Sequence, residues 1–218
     1  MNTKEPIEPD GQTAAILDAA ATVFAEHGFA GARVDAIAKA AGLNKAMLYY
    51  RVGDKARLYE LVVMRQFARV ASVVEAGASS SGDSPARLRG VLLGMARLFS
   101  DDPRLPRIMA WELASGGGTL PDSVVNEWGR ILGTVAPLAA PAGLDPVLAY
   151  FSLAGPMMLT CLTEPIRKRL AAGMPGPSGL PSLLGRVAEV GVGDMAAYLA
   201  NLYARATGPT PGTSGGKS

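Results

Sequence analysis

Residues 33–55, RVDAIAKAAGLNKAMLYYRVGDK, contain two short helical patterns joined by a glycine, and this spacing constrains the fold more than any other part of the sequence. Apolar residues recur on one face of the first pattern: Val34, Ile37, Ala38 and Ala41. Gly42 stands where a left-handed residue would end that helix, and a second helical run begins at Lys45. The pattern predicts a helix-turn-helix unit, whose second helix can enter the major groove of DNA.

Four residues at the start of the second helix carry side chains that suit the edges of bases. Asn44 could either cap the helix or bond an adenine, and Lys45 could donate to a guanine. Ala46 and Met47 could touch the methyl group of a thymine. These four residues are the predicted readers of DNA sequence.

Five further residues in the same stretch are predicted DNA contacts of a different kind. Tyr49, Arg51 and Lys55 suit phosphates, which fix the register of a protein on DNA without reading its sequence. Arg33 could reach a phosphate or a base edge, whereas Tyr50 could equally pack inside the protein.

The distribution of charge supports this interpretation better than the total charge does. The whole chain has a formal net charge of only +2. Residues 30–70, however, contain eight basic and three acidic side chains, a local excess of +5. Such a local basic excess is typical of a DNA-binding surface.

The segments ILDAAATVFAEHGFAG and IAKAAGLNKAMLYYRVGDKARLYELV resemble the amino-terminal region of the tetracycline-repressor (TetR) family of bacterial transcriptional regulators. The resemblance covers residues 14–62, and its anchors are Ala20, Phe24, Gly28, Ile37, Ala38, Gly42, Leu48, Tyr49, Lys55 and Leu58. The chain departs from the family's usual residues at Arg33, Ala46, Met47 and Val52. The resemblance implies a sequence-specific DNA-binding regulator, usually a repressor.

Helical periodicity without strand-like alternation predicts an all-α fold of about nine helices. Gly28 is expected to end the first of them. The predicted divisions are a disordered tail (1–10), a helix-turn-helix DNA-binding domain (11–57), a helical ligand-binding and dimerisation domain (58–207) and a second disordered tail (208–218).

Dimerisation is expected because one helix-turn-helix contacts one half-site, and a palindromic operator needs two recognition helices one turn of DNA apart. The last two long helices, predicted at 145–172 and 182–206, are apolar on more faces than one core uses. In TetR-like proteins two such helices from each subunit form the dimer interface, so the resemblance implies a homodimer. The alternative is that both helices are simply core.

The resemblance also implies a small, often apolar, ligand in the helical domain. The candidate ligand-binding residues are Met95, Phe99, Met109, Trp111, Glu112, Asn126, Trp128, Phe151, Met158 and Thr160. Ligand binding would favour a state in which the helix at 55–76 moves the recognition helices apart. Ordinary core packing is the alternative for the apolar members, and a regulator switched by a protein partner or by its own concentration is the alternative function.

Composition argues against an enzyme, a metal site and a membrane protein. His27 is the only histidine and Cys161 the only cysteine, so no zinc spacing exists, and no catalytic residues or cofactor are predicted. Residues 146–163 are uncharged, but prolines and glycines interrupt the surrounding run, which favours a buried, kinked helix over a membrane span. The amino terminus has no signal-peptide pattern, so a cytoplasmic protein is expected.

Overall fold

The computed structural model describes residues 11–139, 145–173 and 180–207, and within these ranges the regular structure is entirely helical. The ten helices are α1 (Gly11–Gly31), α2 (Val34–Ala40), α3 (Lys45–Val52), α4 (Lys55–Ala78), α5 (Ser84–Asp101), α6 (Arg104–Ala114), α7 (Asp122–Ala139), α8 (Pro146–Gly173), α9 (Leu180–Glu189) and α10 (Val192–Thr207). The all-α prediction is confirmed. The predicted tails at 1–10 and 208–218 lie outside the described residues.

The predicted number of nine helices is exceeded because the last predicted helix is divided into α9 and α10. Gly191 donates its backbone N–H to Asp194 Oδ2 at 2.8 Å, which caps the beginning of α10. Arg167 donates to the carbonyl oxygens of Val187 and Val190, at 3.1 and 2.6 Å. These hydrogen bonds satisfy carbonyl groups at the end of α9 that have no partner within the helix. The two caps together stabilise the break.

Gly28 interrupts α1 as expected, although one more helical turn follows it as far as Gly31. Its backbone has φ +65° and ψ 178°, a conformation that residues with a Cβ atom rarely adopt. A Cβ at this position would also lie 3.0 Å from the ring of Trp111. Gly28 therefore both redirects the chain and allows Trp111 to pack directly on the backbone.

The helices form two compact units. Unit 1 contains the chain up to Arg69 together with Asp102–Gly129, and unit 2 contains Val70–Asp101 and the chain from Arg130 onward. In this division α6, which packs on α1, belongs with the amino-terminal helices. The predicted boundary between a DNA-binding and a ligand-binding domain at residue 57 stays a prediction.

The core of unit 1 is built around α1 and the first half of α4. Phe24 and Phe29 from α1 surround Tyr59 from α4, with ring centroids 4.9 and 5.0 Å from the tyrosine ring. Ile37 of α2 and Leu48 of α3 are fully buried. The ring contacts join α1 to α4, and the buried side chains of α2 and α3 add to the apolar core of unit 1.

In unit 2, α10 packs along α5, and α8 packs against α5, α9 and α10. The sequence-based expectation of a buried helix at 145–172 is wrong, since one side of α8 exposes large apolar side chains, including Leu148 at 69% and Leu159 at 61%. Length and composition would also allow α8 to cross a membrane, and among the described residues it is the one helix that meets this test. A long helix packed on one side only leaves an apolar face for another molecule.

Candidate nucleic-acid interface

The turn between α2 and α3 is fixed by paired backbone hydrogen bonds around Gly42. The N–H of Leu43 donates to the carbonyl of Ala38 at 2.9 Å, and that of Gly42 donates to Lys39 at 3.1 Å. Gly42 has φ +69°, so the pair of bonds forms the left-handed helix end that the sequence predicts. The turn sets the direction in which α3 leaves α2.

The first turn of α3 is capped by Asn44, whose Oδ1 accepts the backbone N–H of Met47 at 2.8 Å. Of the two roles considered for Asn44, this geometry supports the cap. A two-bond contact with adenine would need the same oxygen as an acceptor, and would therefore compete with the cap.

The inner side of α3 is formed by Leu48 and Val52, which are 0% and 3% exposed. The outer side presents Met47, Tyr49 and Tyr50, and Tyr50 is the most exposed of them at 87%. That exposure leaves Tyr50 with little packing inside the chain. Seven of the nine predicted DNA contacts lie on α3 or at its cap, whereas Arg33 precedes α2 and Lys55 begins α4. Arg51 and Lys55 are half-buried and the others are exposed.

The two lysines of this surface are held in different ways. Lys45, the first residue of α3, forms an ion pair with Asp35 of α2, with Nζ 3.2 Å from Oδ1. Lys55 Nζ donates to the carbonyl of Ala30 at 3.4 Å and lies 4.7 Å above the centre of the Phe29 ring. The ammonium of Lys55 is thus fixed beside the carbonyl end of α1, where positive charge is favoured.

A buried carboxylate, Asp102, ties together the helices that support the helix-turn-helix. Arg104 donates to both of its oxygens, at 2.7 and 2.8 Å, and Arg69 of α4 donates to Oδ2 at 2.5 Å. Arg104 also reaches Asp18 of α1 at 3.2 Å. Burial alone would raise the pKa of Asp102, but the hydrogen bonds from Arg104 and Arg69 outweigh it and hold that pKa well below its usual range.

A second buried polar cluster links α4 to α6. Glu112 is 2% exposed, and its Oε1 accepts hydrogen bonds from Tyr59 and Thr119, each at 2.5 Å. Burial raises the pKa of Tyr59, and the hydrogen bond to Glu112 raises it further. Glu112 Oε2 is buried and accepts no hydrogen bond from the described residues.

Sequence reasoning missed Asp18, Tyr59, Asp102 and Arg104. These side chains act in pairs that lie far apart along the chain, such as Asp18 with Arg104 and Tyr59 with Glu112. A single sequence carries no periodic or motif signal for such pairs.

The predicted ligand-binding residues are divided between the two units. Unit 1 contains Met109, Trp111, Glu112, Asn126 and Trp128, and unit 2 contains Met95, Phe99, Phe151, Met158 and Thr160. Trp111 packs on Gly28 and donates to the carbonyl of Ala25 at 3.3 Å. Phe151 is 59% exposed on α8. A role for these residues in ligand binding stays a prediction.

Known proteins resemble the chain most clearly around the helix-turn-helix. Residues 16–62 match the family of bacterial regulatory proteins described as the tetR family. The HTH-type transcriptional repressor SCO4008 of Streptomyces coelicolor is 31% identical over 105 residues, which cover 48% of this chain. The match spans 51% of the relative's length, about half of it.

Two solved structures share the fold over most of the chain. The regulator FadR from Bacillus subtilis in complex with stearoyl-CoA has a TM-score of 0.62 at 17% identity, covering 87% of this chain and 96% of that one. AibR in complex with isovaleryl coenzyme A and operator DNA has a TM-score of 0.64 at 17% identity, covering 88% and 97%. The match over residues 16–62 supports a regulator of the tetR family, and the two solved structures show that the described chain shares their fold.

Proposed function

We propose that this protein is a sequence-specific transcriptional regulator, in the repressing mode, that binds a palindromic operator in double-stranded DNA as a homodimer in the cytoplasm. The observation that carries the proposal is the outward side of α3. Its backbone is fixed at Gly42 and Asn44, its inner residues are buried, and its outer residues offer donors and apolar groups suited to bases and phosphates. The similarity to SCO4008, an HTH-type transcriptional repressor, supports the repressing mode.

The apolar face of α8 supports a homodimer. Exposed side chains follow one side of this helix with helical spacing: Leu148, Phe151, Leu159, Ile166 and Leu170. Tyr198 and Leu202 of α10, one turn apart, are also exposed, at 63% and 49%. A helix of this length extends for about 40 Å, long enough to supply much of the ~800 Å² that each partner buries in a stable interface.

The effector that we propose is a small, largely apolar molecule. Two proteins of the same fold were solved with acyl thioesters of coenzyme A, which makes this class the first to test. In this chain, Glu112 is a predicted ligand residue whose Oε2 is buried without a donor from the described residues. A ligand donor group could satisfy that oxygen, and binding would act by favouring the state that releases DNA.

Selection of bound fragments from genomic DNA, followed by competition with random duplex, tests the proposed function. We expect a palindromic consensus. Lys45→Ala should change the preferred bases, whereas Lys55→Ala should weaken binding to all sequences by a similar factor and reduce the salt slope by about one per subunit. Wild-type protein that binds no duplex at low salt would contradict the proposal.

Thermal melting in the presence of acyl thioesters tests the proposed effector. Stearoyl-CoA or isovaleryl-CoA at a hundredfold excess over its Kd should stabilise the folded protein by about 2.7 kcal/mol, because ligand binds only the folded state. Free coenzyme A is the matched control for the acyl group. Tight operator binding without stabilisation by any apolar or cationic compound would favour the alternative, a DNA-binding regulator switched by a protein partner or by its own concentration.

A further inference from the structure

The ion pair between Asp35 and Lys45 has a consequence for how the protein distinguishes its operator from other DNA. Lys45 Nζ lies 3.2 Å from one oxygen of Asp35 and 3.4 Å from the other. The side chain of Asp35 is 73% exposed and that of Lys45 is 50% exposed, so the pair is formed at the surface of the helix-turn-helix. It therefore lies among the predicted DNA contacts and is not part of the core.

We propose that Asp35 is a specificity-determining residue that converts Lys45 from a general phosphate-binding cation into a reader of base edges. This inference rests on the proposed function. It concerns one pair of side chains and does not depend on the effector or on the identity of the dimer interface.

Asp35 reduces the net charge that Lys45 presents to DNA. Non-specific binding comes almost entirely from cations that neutralise phosphates and release counterions. An ammonium beside a carboxylate at 3.2 Å adds almost no net charge to the surface, so Lys45 contributes little attraction for an arbitrary duplex. Asp35 thus lowers affinity for DNA that offers Lys45 nothing but phosphates.

Asp35 also positions the ammonium of Lys45. An ammonium has three N–H donors, and a carboxylate on one side leaves the others directed away from it. Guanine offers two acceptors, O6 and N7, at its major-groove edge. A lysine held at the first residue of α3 can keep its ion pair and donate to such an edge, whereas a mobile lysine loses side-chain entropy on binding.

The variant Asp35→Asn removes the charge with almost no change of shape. We expect affinity for random duplex to rise about threefold to fivefold per subunit, with a salt slope steeper by about one, because Lys45 becomes free to bind a phosphate. Affinity for the selected operator should fall or stay constant. The ratio of specific to non-specific affinity should therefore fall about tenfold or more for the dimer.

Three further variants make the experiment decisive: Lys45→Gln, Asp35→Asn in the Lys45→Gln background, and Glu26→Gln as a control. Lys45→Gln should reduce operator affinity but leave the non-specific salt slope almost unchanged, an unusual result for the loss of a lysine from a DNA-binding surface. In the Lys45→Gln background, Asp35→Asn should change the affinity for DNA by no more than Glu26→Gln does, because no lysine remains for Asp35 to hold. Glu26 of α1 provides the same charge change, and its Oε2 lies 3.8 Å from Nε2 of His27. Melting curves of each variant confirm that the fold is retained.

The outcomes separate this inference from the proposed function. If wild-type protein binds no duplex, both fail. If wild-type protein selects an operator but Asp35→Asn raises specific and non-specific affinity equally, the inference alone is overturned. An undiminished effect of Asp35→Asn in the Lys45→Gln background would likewise show that Asp35 acts only as a distant charge.

Discussion

Replacing Gly77 by alanine is expected to lower the free energy of unfolding by about 3 kcal/mol, a large effect for one added methyl group. Gly77 lies near the end of α4, directly against α5. A Cβ at this position would lie 2.6 Å from the backbone nitrogen of Val91 and 2.8 Å from its Cα. Backbone atoms cannot rotate away, so the two helices would have to separate and lose packing along their contact.

Two other glycines provide graded controls for this prediction. A Cβ at Gly94 would meet Cγ1 of Val73 at 2.6 Å, but that atom belongs to a side chain that can move, so Gly94→Ala should cost only about 1 kcal/mol. Gly133 of α7 has no atom within 4 Å of the corresponding position. Gly133→Ala should stabilise the protein by about 0.5–1 kcal/mol, because alanine favours a helix interior.

Urea unfolding followed by circular dichroism measures all three variants. The expected order of stability is Gly133→Ala above wild type, then Gly94→Ala, then Gly77→Ala. Equal stability of the Gly77 and Gly133 variants would contradict the close approach of α4 and α5. A change in how steeply the free energy of unfolding falls with urea concentration would instead indicate that the variant exposes a different amount of surface on unfolding.

Local chemistry explains which parts of the fold were predictable from the sequence. The end of α2 at Gly42 and the start of α3 at Asn44 depend on residues within one turn of each other, and the structure has both where the pattern indicates them. Gly28 likewise breaks α1 because its own φ is positive. These features are determined by a residue and its immediate neighbours, which a sequence displays directly.

The parts that sequence reasoning missed depend on contacts between distant residues. Arg167 of α8 caps the end of α9, so the break before α10 needs a side chain from another helix. Asp102, itself buried, holds the part-exposed Arg69 and Arg104 in an ion-pair cluster that no spacing predicts. For α8 the sequence left two expectations open, a buried helix and a dimer interface, because apolar composition alone does not distinguish a core helix from one that is available to a second subunit.

The apolar face of α8 leads to the prediction with the largest effect on function. Leu159→Asp should convert the proposed homodimer to a monomer and weaken operator binding by about a hundredfold or more, since a single half-site loses the gain from simultaneous binding. Leu159 is 61% exposed in the single chain, so the substitution should leave the subunit folded. In a dimer interface, by contrast, the new carboxylate would be buried without a partner.

Leu113→Asp is a closely matched control for that experiment. Leu113 of α6 is also 61% exposed, and the substitution has the same chemistry and the same change of charge. We expect this variant to remain dimeric in sedimentation experiments and to bind the operator nearly as wild type does. If Leu159→Asp also sedimented as a dimer, the α8 face would not be the interface. If it became monomeric but kept full operator affinity, one recognition helix would suffice for sequence-specific binding, and the need for a second subunit at the operator would be refuted.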